Sequence, residues 1–113
     1  MKLVTLKKRR DFVLSNKYGQ KTHNKDFILQ EYYNPNISDQ GLLFGFTATK
    51  RIGNAVKRNR AKRRMRALIL SLLKEDKILF KDKYSYVLIA KQSILKASFF
   101  EMHSQLKQCL SRL

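Results

Sequence analysis

Tryptophan is absent, and the 113 residues include one cysteine (Cys109), one proline (Pro35) and four glycines. A single cysteine excludes an internal disulfide and fits a reducing compartment. With one proline, turn chemistry collects in one polar segment, where Asn34, Pro35, Asn36, Ser38, Asp39 and Gly41 separate two apolar runs. No stretch approaches the roughly 20 apolar residues needed to span a bilayer. The opening Met1 to Lys8 also lacks the apolar segment of a secretory signal, so a cytoplasmic location is expected. Acids are scarce: 8 Asp plus Glu stand against 25 Lys plus Arg, a formal net charge of +17. A compact domain so charged repels itself, and a polyanionic partner is the reason to tolerate that. Nucleic acid and an acidic membrane surface are the candidates, and the lack of a long apolar run weakens the second.

Hydrophobic residues make up 43% of the chain, with seven Phe and five Tyr, enough for one core. No repeat or linker divides it, so residues 1–113 are read as one domain. The pattern predicts a first helix over Lys8 to Lys17 ending at Gly19, and strands over Asp26 to Tyr33 and Leu42 to Thr49. The loop Asn34 to Gly41 is expected to join those strands as a hairpin, and Gln20 to Asn24 to add a short pairing. A long helix spans Asn54 to Leu73, with Ala61, Met65, Leu68, Ile69 and Leu72 as its apolar stripe. Tyr84 to Ala90 reads as a buried strand. A last helix begins near Ser98, which has capping-box spacing to Glu101, and Phe99, Met102, Leu106, Cys109, Leu110 and Leu113 form its apolar face. The order α-β-β-β-α-β-α implies an α/β two-layer sandwich, and the strand–helix–strand passage a partly parallel sheet.

The long helix carries the chemistry. Lys50, Arg51, Lys57, Arg58, Arg60, Lys62, Arg63, Arg64 and Arg66 are cations, and no acid occurs between Asp39 and Glu75. An ordinary exposed helix mixes charge signs, because like pairs one turn apart are unfavourable. Asn59, Lys62, Arg63 and Arg66 fall within an arc of roughly 100° pointing away from the apolar stripe. One face can therefore grip a sheet while the other presents guanidinium forks, which meet phosphate oxygens bidentately. Gly53 and Asn54 precede the helix, whose N-terminus can hold a phosphate, flanked by Lys50 and Arg51.

The eighteen residues from Thr49 to Arg66, centred on Arg58-Asn59-Arg60 and followed by Lys62, Arg63 and Arg66, closely resemble the signature of the bacterial ribonuclease P protein subunit. Weaker similarity runs through Asp11-Phe12, Gly19, Phe27-Ile28-Leu29 and Tyr86 to Lys91. The resemblance implies a four-stranded mixed sheet with three helices and a left-handed β-α-β crossover, against the usual right-handed rule. It implies a protein cofactor, bound one-to-one as a monomer to a catalytic RNA that removes the 5′ leader of precursor tRNA using Mg²⁺ held mainly by the RNA. It carries Lys50, Arg51, Asn54, Arg58, Asn59, Arg60, Lys62, Arg63 and Arg66 over as RNA contacts. Phe12, Ile28 and Gln30 would line the cleft for the single-stranded leader. Two positions depart from the family's pattern, with Asn16 and Gln30 standing where aromatics are common, which points to less stacking and more hydrogen bonding there. The alternatives are a ribosomal or ribosome-assembly RNA-binding protein and a protein-only nuclease.

Other constellations are bland. His23 and His103 have no partner at metal-ligand spacing and read as surface or boundary residues. Cys109 lies on an apolar stripe and reads as a small hydrophobe. The acids form no evident set of converging carboxylates, so no catalytic or metal-binding group is assigned to the chain itself. Phe99, Met102 and Leu106 are expected to pack in the core, and alternation leaves open whether Tyr32, Tyr33, Tyr84 and Tyr86 pack or stack.

Overall fold

Near-continuous apolar character makes Tyr84–Ala90 the strand best suited to the middle of a sheet, and that is where it lies. The computed structural model describes residues 5–6, 9–35 and 42–111. They form α1 (Arg9–Tyr18), β1 (Gln20–His23), β2 (Phe27–Tyr33), β3 (Leu42–Thr47), α2 (Ala55–Glu75), β4 (Tyr84–Ala90) and α3 (Phe99–Ser111), with short 3-10 turns at Lys50–Ile52, Lys77–Leu79 and Gln92–Leu95. The four strands lie in the order β1-β2-β4-β3. β1 and β2 pair antiparallel, as do β2 and β4, whereas β3 runs parallel to β4 and reaches it through α2. The sheet is mixed and the element order is the expected one.

The expected hairpin between β2 and β3 does not form, because β4 is inserted between them. A tight hairpin uses a connection of about two to five residues. The eight residues 34–41 between these strands are too many for that preference. The central place, covered on both sides, goes to the more apolar β4, whose Ser85, Tyr86, Val87 and Leu88 are all buried. Residues 36–41 of this polar loop, like Lys8 and Leu113 at the expected helix ends, lie outside the described residues.

Strand alternation sends Phe27, Leu29, Phe44, Tyr86, Leu88 and Ala90 to one face. There they meet Ala61, Met65, Leu68, Ile69 and Leu72 of α2 and Met102, Leu106, Cys109 and Leu110 of α3, forming the core. The opposite face carries Ile28, Gln30, Val87, Ile89, Gly45 and Thr47, and α1 lies across part of it. α1 is held there by a polar seam together with the Phe12 ring. Its buried residue is Ser15, whose hydroxyl donates to Gln30 Oε1 at 3.1 Å. Gly45 makes room for Phe12, since a Cβ there would stand 2.6 Å from the ring. At the α1–β1 corner, a Cβ on Gly19 would approach the Ser15 carbonyl oxygen to 2.4 Å, so close approach explains that glycine.

Tyr86 sits under the core at 1% exposure, accepting the Lys81 backbone N–H at 2.7 Å. Burial pushes its phenol up to about 12, opposed by that hydrogen bond and reinforced by the negative charges of Glu31 and Tyr84. The folded value lies above the ordinary 10, so the stability gained by keeping Tyr86 protonated is complete below pH 10 and drains away as pH rises toward 12. Alkaline difference spectroscopy should show a tyrosinate step near pH 12 that Tyr86→Phe removes. Persistence of that step in the variant would contradict the packing described here.

Candidate nucleic-acid interface

The basic segment begins where β3 ends. Lys50–Ile52 make a 3-10 turn whose Ile52 is buried, which tethers the turn to the core while Lys50 and Arg51 stay exposed. Gly53 then adopts φ 137°, a conformation that L side chains rarely take. Asn54 caps α2, its side chain accepting the Lys57 N–H at 3.0 Å. Arg58 turns back and donates to the Gly53 carbonyl at 2.7 Å. That bond braces the turn against the helix and aims the Lys50–Arg51 pair.

Along α2 the stripe that grips the sheet and the face that leaves it are cleanly divided. Ala61, Met65, Leu68, Ile69 and Leu72 are fully buried, whereas Asn59, Arg60, Arg63 and Arg66 are exposed and Lys62 is half-buried. The Arg66 guanidinium lies 5.5 Å from the centre of the Phe46 ring, a cation–π contact that steadies it over β3. Arg64 is spent differently: it donates to the Leu95 carbonyl at 3.0 Å and to the Ala97 carbonyl, tying α2 to the start of α3. Of the nine cations, then, Lys50, Arg51, Lys57, Arg60, Arg63 and Arg66 stand exposed.

On the α1 side of the sheet, Phe12, Asn16, Gln30, Thr47, Thr49, Val87 and Ile89 line a groove of about 360 Å³. It shares Thr49 and Ile89 with a second groove that holds Ile28, Lys50, Arg51 and Lys91. The three expected cleft residues therefore sit along one continuous furrow that ends at the basic turn. Phe12 and Ile28 offer partly exposed apolar surface. Gln30 is 2% exposed and is committed internally, accepting from Ser15 and donating to Asn16 Oδ1 at 3.2 Å. The polar residues at the two positions where aromatics were expected thus bond to each other, and of the two Asn16 is the exposed one.

The family model described as Ribonuclease P matches residues 1–113. The chain belongs to the ribonuclease P protein family. It is 34% identical over 111 residues to the ribonuclease P protein component of Erythrobacter litoralis, covering 98% of this chain and 86% of that protein. It is 35% identical over 109 residues to the Nitratiruptor protein component, covering 96% and 91%. Among solved structures it is similar to the Staphylococcus aureus RNase P protein, with a TM-score of 0.75 and 27% identity over 96% of this chain and 94% of that one.

Some structural parts of this ribonuclease P protein escape a one-dimensional reading. Ser15 carries no signal of its own in the sequence, yet it forms the seam under α1. Arg64 looks like one more free cation, yet it is a staple. His103 is not free: its Nε2 lies 2.9 Å from Glu75, which also pairs with Lys107 at 2.7 Å. The Lys107 hydrogen bond foremost holds the Glu75 carboxyl below its ordinary range. Phe99, expected in the core, is 39% exposed: it is the first residue of α3 and lines a groove with residues of α2. Among the described residues no three His, Cys, Asp or Glu side chains are grouped to hold a metal, and no helix is long and apolar enough to cross a membrane.

Proposed function

We propose that this chain is the cytoplasmic protein cofactor that binds a catalytic RNA through α2 and the single-stranded 5′ leader of precursor tRNA through the furrow beneath α1. The observation that carries the reading is the division of α2, whose apolar stripe is buried while Asn59, Arg60, Arg63 and Arg66 face solvent without an acid among them. Guanidinium forks and Lys ammonium groups neutralise the RNA backbone without reading sequence. The furrow runs from Phe12 to Lys50 and Arg51, so a strand lying in it rests bases on apolar surface and delivers its phosphates to the basic turn. Contacts of this kind accept many leader sequences, because every base has a face that can stack. Following the family resemblance, we assign Mg²⁺ and the hydrolytic chemistry to the RNA, with the protein as its monomeric one-to-one partner. The protein raises the local concentration of substrate and offsets phosphate repulsion, which lowers the Mg²⁺ demand of the assembled enzyme.

Reconstitution tests this. At low Mg²⁺, adding the protein to catalytic RNA should accelerate precursor tRNA cleavage over RNA alone, and the protein alone should release no leader. No stimulation would favour a ribosomal role, and leader release by protein alone would make the chain a nuclease. The two surfaces should also separate. Arg63→Ala should weaken catalytic-RNA binding, whereas Phe12→Ala should lower the preference for precursor over mature tRNA by about tenfold, the scale of one stacked base. Equal losses of both quantities in both variants would refute the division.

A further inference from the structure

Two phenylalanines at the start of α3 are left outside the core. Phe100 is 78% exposed and Phe99 39% exposed. Phe99 forms one wall of a groove of about 380 Å³ between α3 and α2, whose other lining residues are Arg60, Arg63, Arg64 and Ala67. The wall is held firmly. Arg64 anchors the Leu95 and Ala97 carbonyls immediately before α3, and Ser98 Oγ accepts the Glu101 N–H at 3.3 Å. Arg60 and Arg63 are exposed at the mouth. An aromatic wall under a guanidinium rim matches the two halves of a nucleotide, a flat base and an anionic phosphate.

We propose that this groove receives one unpaired nucleotide of the catalytic RNA, its base stacked on Phe99 and its phosphate held by Arg60 and Arg63. The inference rests on the RNA-cofactor reading and adds to it a place where the protein grips RNA by a base rather than by backbone alone. The occupant belongs to the catalytic RNA and not to the leader. The leader furrow lies on the α1 face of the sheet, and the groove lies on the far side, in the α2–α3 layer. A second copy of the chain is disfavoured by the repulsion of two bodies carrying +17 each.

The test measures catalytic-RNA affinity across a salt series, and precursor against mature tRNA affinity of the assembled enzyme, for wild type, Phe99→Leu, Phe99→Trp and Arg60→Ala. Leu preserves apolar packing against Ala67 but offers no ring. Phe99→Leu should bind the catalytic RNA about tenfold more weakly, the scale of one lost stack. Its salt slope should be unchanged, because no phosphate contact is lost. Phe99→Trp should bind like wild type, and Arg60→Ala should flatten the slope by about one. The precursor-to-mature ratio should stay at the wild-type value in Phe99→Leu. Wild-type affinity in Phe99→Leu would overturn the proposal and point to a merely apolar contact, such as an acidic protein segment. Failure of Trp to restore binding, or a loss confined to the precursor ratio, would overturn it too. If wild type itself does not bind the catalytic RNA, the cofactor reading fails and this one with it; if wild type binds and Phe99→Leu matches it, this one alone fails.

Discussion

Affinity of the protein for catalytic RNA should collapse with salt, falling about 10³-fold between 50 and 200 mM if the six exposed cations of the 50–66 segment each neutralise one phosphate. Each neutralised phosphate releases condensed counterions, and the slope of log affinity against log salt is about −0.9 per contact on duplex nucleic acid. Lys50, Arg51, Lys57, Arg60, Arg63 and Arg66 are the exposed set, whereas Arg58 and Arg64 are half-buried and donate to backbone carbonyls and Lys62 is half-buried. Filter binding or fluorescence titration across the series checks both the slope and its origin. Arg63→Ala and Arg66→Ala should each flatten the slope by about one, while Arg64→Ala should leave the slope in place and lower the melting temperature by freeing the start of α3. A salt response that is nearly flat, or an Arg64 variant that flattens the slope as much as Arg63→Ala, would show that the exposed face is not where phosphates bind.

Leu68→Ala should destabilise the free protein by about 2–5 kcal/mol, the range for deleting a buried leucine side chain in a closed core. Leu68 has no exposed surface and lies amid Met65, Ile69 and Leu72 against the sheet. A domain of this size has a total stability of about 5–15 kcal/mol, and self-repulsion at +17 erodes it. The loss should appear as a fall in Tm of roughly 10–20 °C by circular dichroism. Saturating catalytic RNA should recover part of it, because a ligand that binds only the folded state stabilises by about 2.7 kcal/mol at a hundred times its Kd. Ile78, 90% exposed, is the control. Ile78→Ala should shift stability by no more than about 0.5 kcal/mol. Similar melting of the two variants would mean that the α2 stripe is not the core.

Much of this architecture was legible before any coordinates, where a local rule operates. The α2 stripe follows from helical period, and Tyr84–Ala90 from an unbroken apolar run. The capping role of Ser98 follows from its spacing to Glu101, and its hydroxyl does accept that N–H. Failure came where a local rule was asked a non-local question. A polar loop between two strands suggests a hairpin, but β4, some forty residues further along, has a stronger claim to the place beside β2. Helical spacing puts Phe99 on the apolar stripe, but as the first residue of α3 it stays 39% exposed and lines a groove with Arg60 and Arg63.

Composition, the acid-free stretch from Asp39 to Glu75 and the signature through Arg58-Asn59-Arg60 were enough to place the chain in its family and to locate its basic face. Charge and periodicity are sums over neighbours in the chain, so they survive without a fold. Which arginines also hold the fold together was decided only in three dimensions. Arg58 and Arg64 differ from Arg60 and Arg63 not in kind but in having carbonyls of Gly53, Leu95 and Ala97 brought within reach. For Arg64 those acceptors come from some thirty residues away, and no one-dimensional pattern records that distance closing.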